Sequence, residues 1–315
     1  MKTRHEAFPS AIGSLSKNQA HQRGIALLLV LWVITLLTII ALGMTSTQRT
    51  EIALAANQVL SATFRAQADA AIYVAALNLL TQPPPEATAD RTAMENMGFW
   101  VPDGQPQLWR LGETAMEIRV INEASLIDLN QAEPGLLLAL LKAVGIEEQE
   151  SARILDAILD WRDPDNLHLA NGAEDDDYAA AGLPYGAKDG PFDSVEELRQ
   201  LIGFKKEYFR ALAPALTVYS GQASPVPDFA PPLVQAALQG IGLEEMEDRL
   251  AQEAEVMGQQ TPVVGRGGPL YRITVRWQGP GGAYRAMQAL TKVEAGSPSP
   301  VTVLWRRYAL ITEDE

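Results

Sequence analysis

A chain of 315 residues with 47% hydrophobic side chains can build more than one compact unit around a real core. Its formal charge of −14 repels nucleic acid and anionic headgroups. Without cysteine it can form neither disulfides nor thiolate metal sites, and that absence says little about compartment.

Residues 25–44, IALLLVLWVITLLTIIALGM, are an uncharged apolar run of 20. At about 1.5 Å per residue a helix of this length spans about 30 Å, the hydrocarbon thickness of a bilayer. Lys2, Arg4, Lys17 and Arg23 precede it against Glu6. The positive-inside rule therefore keeps the N-terminus cytoplasmic and sends the rest across. Four of the 25 basic and one of the 39 acidic residues precede Thr45, which leaves a net charge of −17 beyond it. A cleaved signal peptide and an uncleaved anchor compete for this run. TSTQRTEIA, on its far side, offers no convincing A-x-A-like cleavage site, so physics alone favours the anchor.

Thr45 to Leu80 holds no proline or glycine and is rich in alanine, which predicts a helix continuing well outside the bilayer, as far as Pro83-Pro84-Pro85. Ile52, Ala56, Val59, Thr63, Ala66, Ala70, Tyr73 and Leu77 share one stripe, mostly of small residues. It is a candidate interface, part of which is expected to face the chain's own sheet. A helix that merely packs on its own domain fits the same spacing.

The long helix and the stretch QRGIALLLVLWVITLL resemble a type IV pilin or pseudopilin with its class III signal. The resemblance implies that a prepilin peptidase cuts after Gly24 and methylates the new N-terminus, Ile25. Most pilins carry glutamate at the fifth mature position, and here that position is Leu29. A carboxylate in lipid is costly unless paired, and in the fibre it is thought to pair with the neighbouring subunit's terminal amine. A subunit with nothing ahead of it has no need of that pairing. This departure, with IALLLVLWV itself, is similar to the K-type minor pseudopilins of type II secretion (the GspK or XcpX family), which sit at the pseudopilus tip.

LWRLGETAMEIRVI (108–121) reads as a β-hairpin around Gly112, with Met116, Ile118 and Val120 alternating with Glu117 and Arg119. Next come two weak repeats, LIDLNQAEPGLLLALLKAVGI and FDSVEELRQLIGF. Ser194 with Glu197 makes a capping box, and Asn130 with Glu133 nearly does. Residues 125–219 are thus expected to be a helical domain inserted into a sheet. The first repeat is also similar to helix-hairpin-helix DNA-binding modules, including those of membrane-anchored competence receptors. Those use a G-x-G turn to bind a phosphate, whereas here Glu147, Glu148 and Glu150 follow Gly145-Ile146, and Gly203-Phe204-Lys205-Lys206 lacks its second glycine. Charge opposes DNA at the first turn, whereas the second turn is basic.

DWRDPDNLHLANGAEDDDY (160–178) places seven carboxylates in nineteen positions. A solvated loop is the plain reading of such a run. Against it, Trp161 and Tyr178 bracket the segment, Asp163 and Asp165 are spaced like alternating oxygen ligands, and like charges would push open a loop inside a compact domain. A hard dication answers all three. Calcium suits a flexible carboxylate-rich loop better than magnesium. Zinc would want more than the one nearby His168, and no EF-hand can be laid on these residues. A carboxylate pair could also serve a glycosidase, but acids in one short loop suit a cation better than a cleft, and no phosphate loop or nucleophile elbow is present. No enzyme is expected.

GQASPVPDFAPP then links to a predicted helix around EEMEDRLAQEAEVM, and LYRITVRW, YRAMQALTKV and PVTVLWRRYAL read as strands, with GPGG between the first two. The expected fold is α+β: a long N-terminal transmembrane helix on an antiparallel pilin-type sheet, with an inserted helix-hairpin-helix-like domain. Its divisions are a leader (1–24), the membrane part (25–44) and periplasmic part (45–82) of the helix, the first part of the head (83–124), the insert (125–219), and the linker, helix and second part of the head (220–315). DWRDPD with GAEDDDY, and PFDSVEELRQLIGF, carry the K-type resemblance through most of the chain. It implies calcium on Asp163, Asp165, Glu174, Asp175 and Asp177, with Asp160 (expected on the preceding helix) and Asp176 as secondary candidates. It implies the I and J minor pseudopilins as direct partners, then H, and a single-pass inner-membrane protein with a periplasmic bulk.

Overall fold

A computed structural model of the chain describes residues 20–82, 98–257, 267–279 and 284–309. The leader up to residue 19, the Pro83-Pro84-Pro85 stop and most of the GPGG turn lie outside the described residues. The chain divides into two units, Met1–Thr63 and Phe64–Glu315. In the first, helix α1 (Ala20–Thr81) begins and carries Gly24 and Ile25 in its early turns. Its segment Ala26–Met44 is, among the described residues, the one helical stretch long and apolar enough to cross a membrane. That segment is exposed throughout.

In the second unit the remainder of α1 packs on a sheet. Strands β1 (Gln107–Leu111), β2 (Thr114–Asn122), β5 (Leu270–Gln278), β6 (Tyr284–Val293) and β7 (Val301–Ala309) lie in the order β1-β2-β5-β6-β7, all antiparallel. Gly112, at φ 60°, makes the β1–β2 turn that a side chain would strain. The period-two pattern does what it predicts: Met116, Ile118 and Val120 lie on one face with Tyr271, Ile273, Val275 and Met287, buried against the helix.

The helix meets that face through Phe64, Ala68, Ala71, Ile72, Ala75, Ala76 and Leu79. This corrects the expectation that the stripe ending in Tyr73 and Leu77 would in part face the sheet. Tyr73 and Leu77 are 51% and 56% exposed, and Ile52 and Val59 are exposed as well. Arg306 on β7 pairs with Asp69 of the helix at 2.8 Å, and Arg65 lies over the Tyr308 ring.

Between β2 and β5 lies the helical insert: α2 (Pro134–Ala143), α3 (Glu148–Arg162), α4 (Asp175–Ala180), α5 (Lys206–Leu212), α6 (Pro232–Gln239) and α7 (Leu243–Met257). Short strands β3 (Ile127–Asp128) and β4 (Leu216–Thr217) pair in parallel and bring its start beside the segment that follows α5. Its core includes Leu137, Leu141, Ile154, Trp161, Tyr178 and Leu198, but also Val234 and Met246. The helical core therefore runs on into α6 and α7, past a division at residue 219. Proline at the start of α6 begins a new helix and does not mark the end of the domain.

The start of the insert and its strand β4 are fastened to the sheet. Glu123, fully buried just after β2, accepts from Arg272 of β5 at 2.7 and 3.1 Å and from the Thr217 hydroxyl at 2.5 Å. Arg272 also donates to the Leu216 carbonyl. Elsewhere the two parts meet through Arg307 with Glu196 and through Tyr219 against Trp305.

Candidate metal centre

The acidic segment is ordered from both ends. Helix α3 brings Asp160 into the core at 0% exposure, where both carboxylate oxygens accept the Leu169 N–H at 3.1 and 3.2 Å. Asp163 caps the helix end. Gly172 passes so close that a Cβ there would stand 1.7 Å from Asp160 Oδ2. Glu174 then begins α4, and the acidic first turn of that helix suits its positive N-terminal end.

Glu174 is the centre of the arrangement. It is 4% exposed, and neither of its oxygens completes a hydrogen bond, although the side chain leans towards the Asp177 N–H in a capping-box arrangement. Burial first, then the charges of Asp160, Asp189, Asp163 and Asp165, push its carboxyl up to about 7. Burial likewise raises Asp160, and it raises Asp163 with help from Asp165. Asp163 Oδ1 and Asp189 Oδ1 are also buried without a partner.

The sequence-predicted residues therefore divide. Asp163, Asp165 and Glu174 face a common charge cluster, and Asp160, a secondary candidate, joins them. Asp175 packs its carboxylate against Gly186, where a Cβ would stand 1.7 Å from Oδ1. Asp177 accepts the Glu174 N–H at 3.0 Å and so serves the helix start. Asp176 is exposed. Asp189 was not foreseen. It follows α4 by nine residues, lies at φ +52° and enters the cluster through an Asp-Gly turn. The sole signal in the sequence was that dipeptide.

Nearby basic groups do not pair with the cluster, although the charge of Arg162 partly offsets the rise of Asp163. Arg162 gives its guanidinium to the Leu129 and Ala132 carbonyls at 2.5 and 3.1 Å. Lys188 is held by Asp193 and Glu197 at 2.7 and 2.9 Å. Among the described residues no three His, Cys, Asp or Glu side chains stand close enough together to hold a metal ion, and mutual repulsion of like charges opposes such closure. The donor set is nonetheless all oxygen, with two unpartnered buried oxygens on one side chain, which fits a hard dication. His168 is exposed, with Nδ1 3.0 Å from the Leu169 carbonyl, and supplies no second nitrogen for zinc.

The hairpin turns that raised the DNA reading are engaged otherwise. Lys142 pairs with Glu148 beside Gly145, and Arg153 occupies the Ile202 and Gly203 carbonyls while pairing with Glu150. Ser194 and Glu197 do form the expected capping box, although on a 3-10 turn, Val195–Gln200. Asn130 does not begin a helix; Glu133 is the cap of α2.

A helix whose apolar N-terminal stretch is exposed and whose later turns lie on an antiparallel sheet, with a helical insert between strands two and five, defines a pilin-type architecture. Residues 119–221 match the family model of type II secretion system (T2SS), protein K. Over that third of its length the chain is similar to the type II secretion system protein K family. It is 36% identical over 131 residues to the type II secretion system protein K of Pectobacterium carotovorum subsp. carotovorum, covering 40% of this chain and 38% of that protein. To the protein of the same name from Klebsiella pneumoniae it is 29% identical over 201 residues, 61% of each. These matches thus span less than two thirds of either relative. In fold it is similar to a chain in the crystal structure of the GspK-GspI-GspJ complex from the enterotoxigenic Escherichia coli type 2 secretion system, with a TM-score of 0.54 at 14% identity, over 80% of this chain and 97% of that one.

Proposed function

We propose that the protein is a minor pseudopilin that is cut after Gly24, methylated on Ile25 and anchored by residues 25–44 in a bacterial inner membrane, with its bulk in the periplasm. It acts by assembly and not by catalysis: it joins the tip of a short filament and supports export of folded proteins. Its direct partners are the I- and J-type minor pseudopilins, then the H type. Leu29, in place of the usual glutamate, suits a subunit with none ahead of it. The observation that carries the reading is that one chain joins an exposed apolar helix segment at its N-terminus to a sheet-packed helix and a protein K domain.

Calcium belongs to this reading as a brace for the insert. Asp160, Asp163, Asp165, Glu174 and Asp189 would hold it, with Asp175 and Asp177 supporting the helix start that presents Glu174. When bound, the ion supplies the paired positive charge that Arg162 and Lys188 do not.

Two measurements test the reading. Mass spectrometry of the protein from its native host is expected to find a mature chain starting at methylated Ile25; an intact Met1, or a start beyond Met44, overturns the pseudopilin assignment. The full chain in detergent is expected to melt at a higher temperature with Ca²⁺ than with chelator; equal melting removes calcium from the account.

A further inference from the structure

The acidic cluster is assembled from segments that one long hydrogen bond, from the Gly190 N–H to the Trp161 carbonyl at 3.4 Å, links directly. One is the end of α3 with Asp160 and Asp163; another is the turn at Asp189. Both hang on the same short turn after β3, residues 128–132. Asn130 accepts the Phe192 N–H on Oδ1 at 2.7 Å and donates from Nδ2 to the Phe192 carbonyl at 2.9 Å, 62 residues away. On either side of Asn130, the Leu129 and Ala132 carbonyls take the guanidinium of Arg162, the residue before Asp163. Asp128 shapes this turn by accepting the Asn130 N–H at 2.9 Å and the Gly221 N–H at 2.8 Å. The two ligand-bearing segments also meet beneath the cluster, where Phe192 stacks on Trp161 at 6.2 Å.

We infer that Asn130 and Arg162 are positioning residues for the calcium centre, fixing the separation of Asp189 from Asp163 without touching the ion. The inference rests on the calcium reading above. A two-way amide clamp and a forked guanidinium each fix direction as well as distance, so neither segment can rotate freely about its link. Outer partners of this kind orient metal ligands, and their loss typically costs about 10–100-fold in affinity.

The test uses the full chain in detergent, with Tb³⁺ emission sensitised through nearby Trp161 and displaced by Ca²⁺. Asn130→Ala is expected to weaken Ca²⁺ by about 10-fold or more and to shrink the rise in melting temperature that Ca²⁺ gives over chelator. Ser220→Ala, which removes a 3.1 Å bond to Asp128 on the far side of the turn, is expected to leave Ca²⁺ affinity unchanged. If Asn130→Ala lowers melting equally with Ca²⁺ and with chelator at unchanged affinity, the residue is merely structural and the inference falls. Should that variant not fold, Arg162→Lys replaces it, since an ammonium cannot reproduce the fork; unchanged affinity there overturns the inference too. A wild-type chain that binds neither Tb³⁺ nor Ca²⁺ sinks the calcium reading itself, a result distinct from either.

Discussion

The carboxylate of Glu123 and the guanidinium of Arg272, 149 residues apart, form a two-point pair with Glu123 fully buried. The pair joins the first residue of the insert to the central strand of the sheet, and the Thr217 hydroxyl and Leu216 carbonyl draw the insert's last strand into the same knot. A buried charge is tolerated because its partner is fixed, so removing one partner costs far more than the pair contributes. Arg272→Met is therefore expected to destabilise the protein by about 3–5 kcal/mol, read by denaturant unfolding. Glu123→Gln keeps an acceptor for Thr217 and is expected to cost less. Equal, small losses for both would mean that water reaches the pair.

Gly172→Ala is expected to disturb the acidic loop from within. Its Cβ would overlap Asp160 Oδ2 at 1.7 Å, so either Asp160 leaves its bond to Leu169 or the loop moves. Overpacking of this kind costs about 1–3 kcal/mol, and Ca²⁺ affinity should fall with it. Gly135→Ala is the contrast. It sits in α2, with nothing within 4 Å of the new Cβ, and is expected to be neutral or stabilising by up to about 1 kcal/mol. Thermal melts of the two variants with and without Ca²⁺ decide the matter.

Much of the fold is legible in the sequence. The strands could be read because half-buried sheet residues alternate, and the membrane run because its length matches a bilayer. The acidic cluster was legible as composition but not as membership. Asp189 enters from outside the motif, and Asp177 gives one of its oxygens to the start of α4. Nothing local marks Asn130 or Arg162, whose partners lie 62 and about 30 residues away. The buried face of α1 was misread for a different reason: alanine lies on every side of the helix, so spacing alone gives no direction.

Acidity should stabilise the calcium-free protein through Glu174. Its folded carboxyl is raised to about 7 from an ordinary 4.5, so between those values the folded state binds more protons than the unfolded one. Stability contributed by this group is fully present below about pH 4.5 and lost as pH rises through 7. Other carboxylates titrate too, so the useful quantity is the difference between wild type and Glu174→Gln. In chelator, that variant is expected to lose less stability than wild type across the window. Ca²⁺ binds the deprotonated form, so its stabilising effect on wild type should grow over the same interval. A difference that stays flat with pH would place Glu174 outside the cluster.

The face of α1 turned away from the sheet is the last element to be assigned. Tyr73 and Leu77 are more than half exposed, while the neighbouring Ala75 and Ala76 are fully buried against the strands. An exposed apolar pair on a helix that already has its own partner suits packing by another helix, as the proposed minor pseudopilin assembly requires. Leu77→Lys is expected to leave stability within about 0.5 kcal/mol and to reduce co-purification of the I- and J-type subunits from the native host. Ala75→Leu should do the reverse, costing about 1–3 kcal/mol by wedging helix from sheet, with partner loss following only from unfolding. If Leu77→Lys destabilises the protein on its own, the residue serves this chain's fold. If it leaves both stability and co-purification intact, partners bind through another surface.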